Sequence, residues 1–295
     1  MSSTRISLFG VGLMGHGIAI NLARKGQDLV FFDHSGNQPT ADLVAAGARG
    51  SDDAQVLAQH AEVVILCVTG SPQVEAIMLG ERGALKHLKP GTLVVDCSTS
   101  IPTSTEHIAR QVQAAGCRFI DAPMTRLPKD AAAGRLNLLV GGDRSDFERA
   151  LPVLQCFAEN ITHVGVVGAG HRMKLLHNYV SLGHALLIAE AAACARIGGI
   201  EPQVLVDVLA KGGGGGAALE RMRSHLLQGD PTGLQFTMAN ALKDLGYYNT
   251  MAEQSHADRT IAQAVAQTLQ WANQEGNPGD YVPLMVERLV QRKPS

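Results

Sequence analysis

Apolar residues change their spacing part-way along this chain. In the first half they come in short runs at 5–9, 29–33, 63–68, 93–97, 118–121, 136–141 and 161–164, each rich in Val, Ile, Leu or Phe. Runs of that length predict strands buried on both faces. Between them the pattern predicts helices near 15–26, 40–47, 52–60, 72–79, 103–115 and 145–157. Strand–helix alternation of this kind implies an α/β fold, with a mostly parallel, doubly wound sheet covered on both sides and joined by right-handed connections. After Gly168 the strand signals vanish. Helical periodicity takes over at 171–197, 202–211, 217–227, 237–254, 257–274 and 280–291, with Pro202 near a helix start and Gly198-Gly199 at a stop. The expected division is a domain at 1–167 and an all-helical domain at 168–295. The run Gly212 to Gly216 is either a flexible connector or a loop whose bare backbone approaches a ligand.

The first strand leads into chemistry. Ile6-Ser7-Leu8-Phe9 is followed by Gly10-Val11-Gly12-Leu13-Met14-Gly15, then a helix closed by Gly26, then Leu29-Val30-Phe31-Phe32 ending in Asp33. In that frame GxGxxG is a dinucleotide fingerprint. Gly10 permits the tight turn, Gly12 lets a diphosphate approach the backbone, and Gly15 lets the helix pack on the strand. The free amides of the first helical turn face the diphosphate. Asp33 stands where a carboxylate accepts hydrogen bonds from an adenosine ribose. The expected ligand is NAD(P) or FAD; the alternative is a tight βα turn that holds nothing.

Composition narrows the class. The 295 residues are 45% hydrophobic and 18% charged, enough for a sizeable core, and the net charge is −2. No basic stripe points to nucleic acid, and no polybasic anchor points to a membrane surface. Cys67, Cys97, Cys117, Cys156 and Cys194 have neither metal-ligand spacing nor a disulfide framework. They read as small core hydrophobes in a reducing cytosol, and no metal is expected. The first apolar run is only a strand long, so no signal peptide is expected and the localisation is cytoplasmic. The most apolar helix, at about 174–197, is broken by His177, Asn178, His184, Glu190 and Arg196 and reads as a buried helix rather than a membrane span.

A second segment, Gly168-Ala169-Gly170-His171-Arg172-Met173-Lys174-Leu175-Leu176-His177-Asn178, opens the helical half. Lys174 and Asn178 are four apart and project from one helix face, with Leu175 and Leu176 between them facing the core. A buried, unpaired lysine is costly. Beside a nicotinamide it is a proton donor to an alkoxide, with Asn178 holding the substrate oxygen or the lysine itself. By spacing alone, a solvated surface lysine is the other option.

Taken together, GxGxMG, Asp96-Cys97-Ser98-Thr99, Asp121-Ala122-Pro123, the GxGxxxKxxxN of 168–178 and Lys243-Asp244-Leu245 occur in an order that resembles the β-hydroxyacid dehydrogenase family. That family includes 3-hydroxyisobutyrate dehydrogenases and tartronate semialdehyde reductases, and the resemblance covers nearly the whole chain. It implies a Rossmann domain plus a helical domain joined by a long helix. It also implies Lys174 as general acid/base with Asn178 as its helper. Leu13 and Met14 match backbone contacts to the diphosphate. Val68 and Thr99 match positions along the nicotinamide ribose and ring, and Lys243 matches a lysine near the cofactor. Ser98, Thr125, Arg126, His177, Asn178 and Ser181 are the positions expected to meet substrate. Asp33 followed by His34-Ser35, with no arginine, favours NADH over NADPH, because a carboxylate binds a 2′-hydroxyl and repels a 2′-phosphate.

One departure bears on the substrate. After Asp121-Ala122-Pro123 the family usually has an apolar residue and then Ser-Gly-Gly, which binds a carboxylate; this chain has Met124-Thr125-Arg126-Leu127-Pro128. An arginine at the first of those glycines is either a forked cation for an anionic head group or a surface ion pair. A similar arginine occurs in the 3-sulfolactaldehyde reductases of the family, and Asn178-Tyr179-Val180-Ser181 partly matches their Asn-Tyr-Met-Ser stretch, although His177 stands where they have asparagine. The expected function is a cytosolic NAD-dependent reductase of a small anionic aldehyde, with 3-sulfolactaldehyde placed first. Carboxylate semialdehyde reduction (succinate or tartronate) and 3-hydroxyacid oxidation are the alternatives. An imine reductase is disfavoured because those relatives usually lack the lysine at 174, and a non-catalytic NAD-binding regulator is the alternative from another class. The helix at 171–197, with Leu182, Leu186, Leu187 and Ile188 spread around it, has more apolar surface than one partner needs, so a homodimer or homotetramer is expected.

Overall fold

A computed structural model describes residues 3–292. The chain divides within one long helix, between Lys174 and Leu175, into two compact units.

The N-terminal unit is a nine-stranded sheet with its helices. Its strands are β1 (Arg5–Phe9), β2 (Asp28–Phe32), β3 (Arg49–Ser51), β4 (Val63–Leu66), β5 (Leu93–Asp96), β6 (Arg118–Asp121), β7 (Met124–Thr125), β8 (Leu136–Gly141) and β9 (Ala158–Gly165). The helices between them are α1 (Leu13–Arg24), α2 (Ala41–Ala45), α3 (Ala54–His60), α4 (Ser71–Leu79), α5 (Pro102–Ala114), α6 (Pro128–Ala132) and α7 (Arg144–Leu154). Strands run in the order β3-β2-β1-β4-β5-β6-β8-β7, with β9 on the other edge of β8. The first six are all parallel, which is the doubly wound dinucleotide-binding order. β8 then runs antiparallel to β6 and β7 and parallel to β9.

Period-two alternation explains why these strands read as short apolar runs rather than as strict apolar–polar alternation. Ile6, Leu8, Leu29, Phe31, Val63, Ile65, Leu93, Val95 and Ile120 point into one core. Their sequence neighbours Phe9, Val30, Val64, Leu66, Val94 and Phe119 point into a second core on the opposite face. Burial of each such side chain contributes about 1.5–3 kcal/mol, so both faces must be covered. One cover is unusual in its closeness. A Cβ on Gly17 of α1 would stand 2.5 Å from the Ala131 carbonyl carbon of α6. Asn21, one turn on, donates to the Ala131 carbonyl at 3.0 Å.

The second unit continues α8 (Ala169–Ile197) and adds α9 (Pro202–Lys211), α10 (Ala217–Gln228), α11 (Met238–Gln254), α12 (Thr260–Glu275) and α13 (Met285–Gln291). Leu182, Leu186, Ile188 and Ala189 of α8 share one core with Val206, Leu219, Met222, Leu245 and Leu269. Among the described residues, α8 is the one helix whose length and composition would be sufficient to cross a bilayer, and its residues 182–192 contribute to this core.

Several details differ from expectation. β3, β7 and α6 have too few apolar residues to show a period. The segment expected as one helix at 280–291 begins with a 3₁₀ turn at Val282–Leu284, set by Pro283. Leu175 is fully buried as expected, but Leu176 is 41% exposed. A helix turns 100° per residue, and that turn carries Leu176 off the face that buries Leu175.

The cysteines are all free thiols, and only Cys194 is exposed. Burial pushes the Cys67 thiol up to about 12, with Asp96 adding to it. Burial likewise raises Cys97, Cys117 and Cys156. Because the thiolate is the reactive form, titration of the native protein with a disulfide reagent at mildly alkaline pH should find at most one promptly reacting thiol, with the others appearing on denaturation. Prompt reaction of two or more thiols in the native state would contradict this burial.

Candidate active site

The glycine turn after β1 fits a diphosphate by its geometry. Gly10 has φ +98°, and a Cβ there would lie 2.2 Å from the Cys67 carbonyl oxygen. A Cβ on Gly15 would lie 1.9 Å from the Gly10 carbonyl oxygen. Both positions exclude any side chain. Gly12 is different: its φ is an ordinary −77° and a Cβ would meet nothing within 4 Å. A residue free of internal packing, at the N-cap of α1, is where a ligand rather than the fold benefits from a bare backbone. No side chain caps α1 and no acidic residue stands in its first turn, which leaves its amides and its positive dipole end available to an anion. Leu13 is exposed and Met14 partly so. Asp33 follows β2, exposed, its amide bonded to the Ser51 carbonyl. A cavity of about 430 Å³ opens beside this turn, lined by Leu13, His16, Gln38, Pro39, Ala41 and Asp42. These features fit a dinucleotide held by Gly10, Gly12, Leu13, Met14, Gly15 and Asp33.

Two further strand ends, of β4 and β5, are fastened together. The Val68 amide donates to Ser98 Oγ at 3.1 Å, and the Ser98 amide donates to Asp96 Oδ1 at 2.9 Å. Ser98 is 2% exposed, so its hydroxyl links the two loops. Val68 and Thr99 on either side are half-buried.

The end of β6 supplies the anchor for α8. One oxygen of Asp121 accepts from the Gly168 amide and the other from the His171 amide, each at 2.7 Å. A carboxylate across the start of a helix satisfies donors that the helix leaves open and complements its dipole. The cost is visible in the group itself. Burial pushes the Asp121 carboxyl up, with His171 and the two amides opposing the rise. Lys174, buried, stands one turn beyond this anchor.

In the helical unit, Asn178 is oriented from two sides. Its Nδ2 donates to Asp244 Oδ2 at 2.6 Å, and its Oδ1 lies 3.0 Å from His177 Nδ1. A carbonyl oxygen only accepts, so His177 presents Nδ1–H here. Asp244 is 3% exposed, and its other oxygen pairs with Lys243 Nζ at 2.8 Å. The Lys243 ammonium also stands 5.0 Å from the centre of the Tyr247 ring. Ser181 lies half-buried on α8.

Thr125 is buried at the end of β7, and Arg126 follows with φ +81°. This is the left-handed region that glycine favours, adopted by an arginine at the position where a glycine was expected. The guanidinium reaches past the start of β8, donating to the Arg135 carbonyl and pairing with Glu159 of β9.

Sequence reasoning missed Asp121 as the anchor, His171 as a fully buried group, Asp244 as the orienter of Asn178, and Glu159 as the partner of Arg126. Asp121 and Asp244 stand inside quoted motifs, and His171 inside the glycine-rich run before Lys174; nothing along the chain marks Glu159. Among the described residues, no cluster of three or more His, Cys, Asp or Glu could hold a metal ion.

Comparison with known proteins extends this geometry. Residues 5–165 match the family model described as the NAD binding domain of 6-phosphogluconate dehydrogenase, and residues 168–287 match the one described as the NAD-binding region of NADP-dependent 3-hydroxyisobutyrate dehydrogenase. The chain is 38% identical over 217 residues to an NAD-dependent L-serine dehydrogenase of Pseudomonas aeruginosa, covering 73% of this chain and 72% of that one. It is 31% identical over 272 residues to a 3-sulfolactaldehyde reductase of Escherichia coli K12, covering 92% and 91%. A solved structure of Mycobacterium tuberculosis 3-hydroxyisobutyrate dehydrogenase with L-serine superposes with a TM-score of 0.87 at 27% identity, covering 98% of this chain and 99% of that one.

The different surroundings of the glycines give a test. Gly12→Ala should leave the melting temperature within about 2 °C of the parent, since a surface change away from packing costs at most about 0.5 kcal/mol. It should still weaken NADH binding roughly tenfold or more in a fluorescence titration. Gly15→Ala should instead lower the melting temperature or abolish soluble expression. Unchanged NADH affinity in Gly12→Ala would contradict the assignment of this turn.

Proposed function

Because the chain belongs to the β-hydroxyacid dehydrogenase family, whose members are nicotinamide-dependent oxidoreductases acting on CH–OH groups, we propose that it interconverts a small anionic aldehyde and its hydroxyl form, with Lys174 as general acid/base. The observation that carries this reading is the placement of Lys174. It is buried, one turn after the helix start held by Asp121 and one turn before an Asn178 whose amide is already oriented by Asp244 and His177. A bound nicotinamide supplies or accepts the hydride. Lys174 gives its ammonium proton to the nascent alkoxide in reduction and takes it back in oxidation. Asn178 would steady the substrate oxygen, and Lys243, paired with Asp244, would add positive charge for a bound cofactor. Val68 and Thr99 would line the nicotinamide ribose and ring, while Ser98 ties their loops together. The N-terminal unit binds the cofactor, and the helical unit contributes to substrate binding and oligomerisation.

The exposed Asp33 carboxylate, followed in the sequence by His34-Ser35 rather than an arginine, supports NADH over NADPH. A cytoplasmic homodimer or homotetramer is the accompanying inference. Leu176, Val180 and Leu187 are exposed on one face of α8 at spacings of a helical stripe, and such a face needs cover.

For the anion, the first candidate is the sulfonate of 3-sulfolactaldehyde, held by Arg126 with Thr125, His177 and Ser181 around it. The left-handed backbone at Arg126 costs about 1–3 kcal/mol, a cost that an arginine at a functional position can justify. A second reading has its own support. The guanidinium is already engaged by Glu159 and the Arg135 carbonyl, and the backbone keeps the conformation of the glycine it replaces. On that reading the loop amides bind a carboxylate, as for a semialdehyde or a 3-hydroxy acid, and Arg126 is structural.

Two measurements separate these possibilities. Lys174→Ala should lower kcat by about 10²–10⁴-fold with NADH affinity retained; near-parental kcat would remove the acid/base role from Lys174, whereas a Lys174→Ala protein without turnover that still functions in the cell would favour a non-catalytic NAD-binding regulator. With NADH and a panel of 3-sulfolactaldehyde, succinate semialdehyde and tartronate semialdehyde, Arg126→Ala should lower kcat/KM on the sulfonate by roughly 10²-fold. In the same assay Glu159→Gln, which frees the guanidinium, should raise it. If Arg126→Ala leaves the sulfonate reaction unchanged, the carboxylate reading stands.

A further inference from the structure

The imidazole of His171 is 0% exposed, and the reaction outlined above gives it no task. Its backbone amide belongs to the Asp121 anchor, but its ring makes two more bonds. Nε2 lies 3.1 Å from the Ser98 carbonyl, which only accepts, so this nitrogen donates. Nδ1 lies 2.8 Å from Thr105 Oγ1 of α5, a hydroxyl able to take either role and itself 3.2 Å from the Ile101 carbonyl. The ring therefore keeps both bonds whether or not it carries a charge. Two buried carboxylates face it: Asp96 Oδ2, which has no hydrogen-bond partner, at 3.9 Å from Nε2, and Asp121 Oδ2 at 3.8 Å from Nδ1.

One ring thus joins three pieces of the N-terminal unit: the loop after β5, the first turn of α5, and the start of α8. The peptide it holds at Ser98 leads directly into Thr99. The turn it holds at 171 leads, three residues on, to Lys174. We propose that His171 is a positioning residue that fixes the separation between the Thr99 loop and the helical turn carrying Lys174. The proposal rests on the acid/base reading of Lys174. A displacement of about 1 Å between reacting groups can cost roughly 10²-fold in rate, so a tie of this kind belongs in the chemistry rather than in cofactor affinity.

The test uses His171→Phe, which keeps a ring of similar volume and removes both bonds, and His171→Gln, which returns an amide donor toward the Ser98 carbonyl. In the full chain without ligand, amide hydrogen exchange at residues 168–174 should be about tenfold faster or more in His171→Phe and largely restored in His171→Gln. With NADH and substrate, kcat should fall about tenfold or more in His171→Phe, KM and NADH affinity should stay within about threefold, and His171→Gln should recover most of the loss. Unchanged exchange, or kcat within about twofold of the parent, overturns the proposal. If His171→Phe does not fold, Thr105→Val removes one of the two ring bonds: faster exchange at 168–174 with lower kcat supports the tie, and an unchanged protein overturns it. The exchange readout needs no substrate, so a failure of the Lys174 assignment, seen in Lys174→Ala, remains distinguishable from a failure of the His171 tie.

Discussion

Two amide hydrogens at the start of α8 meet the two oxygens of one buried carboxylate, that of Asp121. The contact joins the C-terminal end of the parallel sheet to the long helix that continues into the second unit. Charge-assisted bonds of this type are about twice as strong as neutral ones and fix direction as well as distance. The carboxyl pays for its burial with a raised proton affinity, offset by the amides and by His171. Once α8 starts at this point, its 3.6-residue turn determines where Lys174 projects. Loss of this anchor would leave the lysine on a helix whose register against the glycine turn is undefined.

The same economy runs through the rest of the N-terminal unit. Loops after β1, β4, β5 and β6 all lie at the C-terminal ends of parallel strands, where an α/β sheet opens to ligand. The loop after β1 runs too close to the Cys67 carbonyl for any side chain at Gly10, and the others are fastened by buried side chains: Ser98 Oγ on the Val68 amide, Asp121 on α8. Among the glycines of the fingerprint, Gly12 alone is bare without internal packing to require it. In the helical unit, Asp244 combines two tasks, orienting the Asn178 amide and holding the Lys243 ammonium.

How much of this was legible along the chain depends on the range of the interaction. The strands β1, β2, β4, β5 and β6 were legible because each carries Val, Ile, Leu or Phe on both of its faces, and a strand buried on both faces leaves that mark. The fingerprint was legible because its constraints act within six residues. Lys174 and Asn178 were legible as a pair because helical spacing is local. The anchor was not, since Asp121 and His171 are fifty positions apart and nothing in either neighbourhood announces the other. Arg126 shows the limit most clearly. Its substitution for a glycine was visible, but the left-handed backbone it keeps and the Glu159 that receives its guanidinium depend on how β7, β8 and β9 lie together, and β7 is too short to show any period.

The acid/base role of Lys174 turns on where its amine stands when cofactor and substrate are both bound. A crystal structure of the full chain with NAD and a hydroxy acid or its non-reactive analogue measures that directly. The Lys174 Nζ should lie within about 2.6–3.2 Å of the oxygen that gains or loses the proton, on the face of the substrate turned toward the nicotinamide. An amine turned away from that oxygen, with another proton donor in its place, would contradict the account.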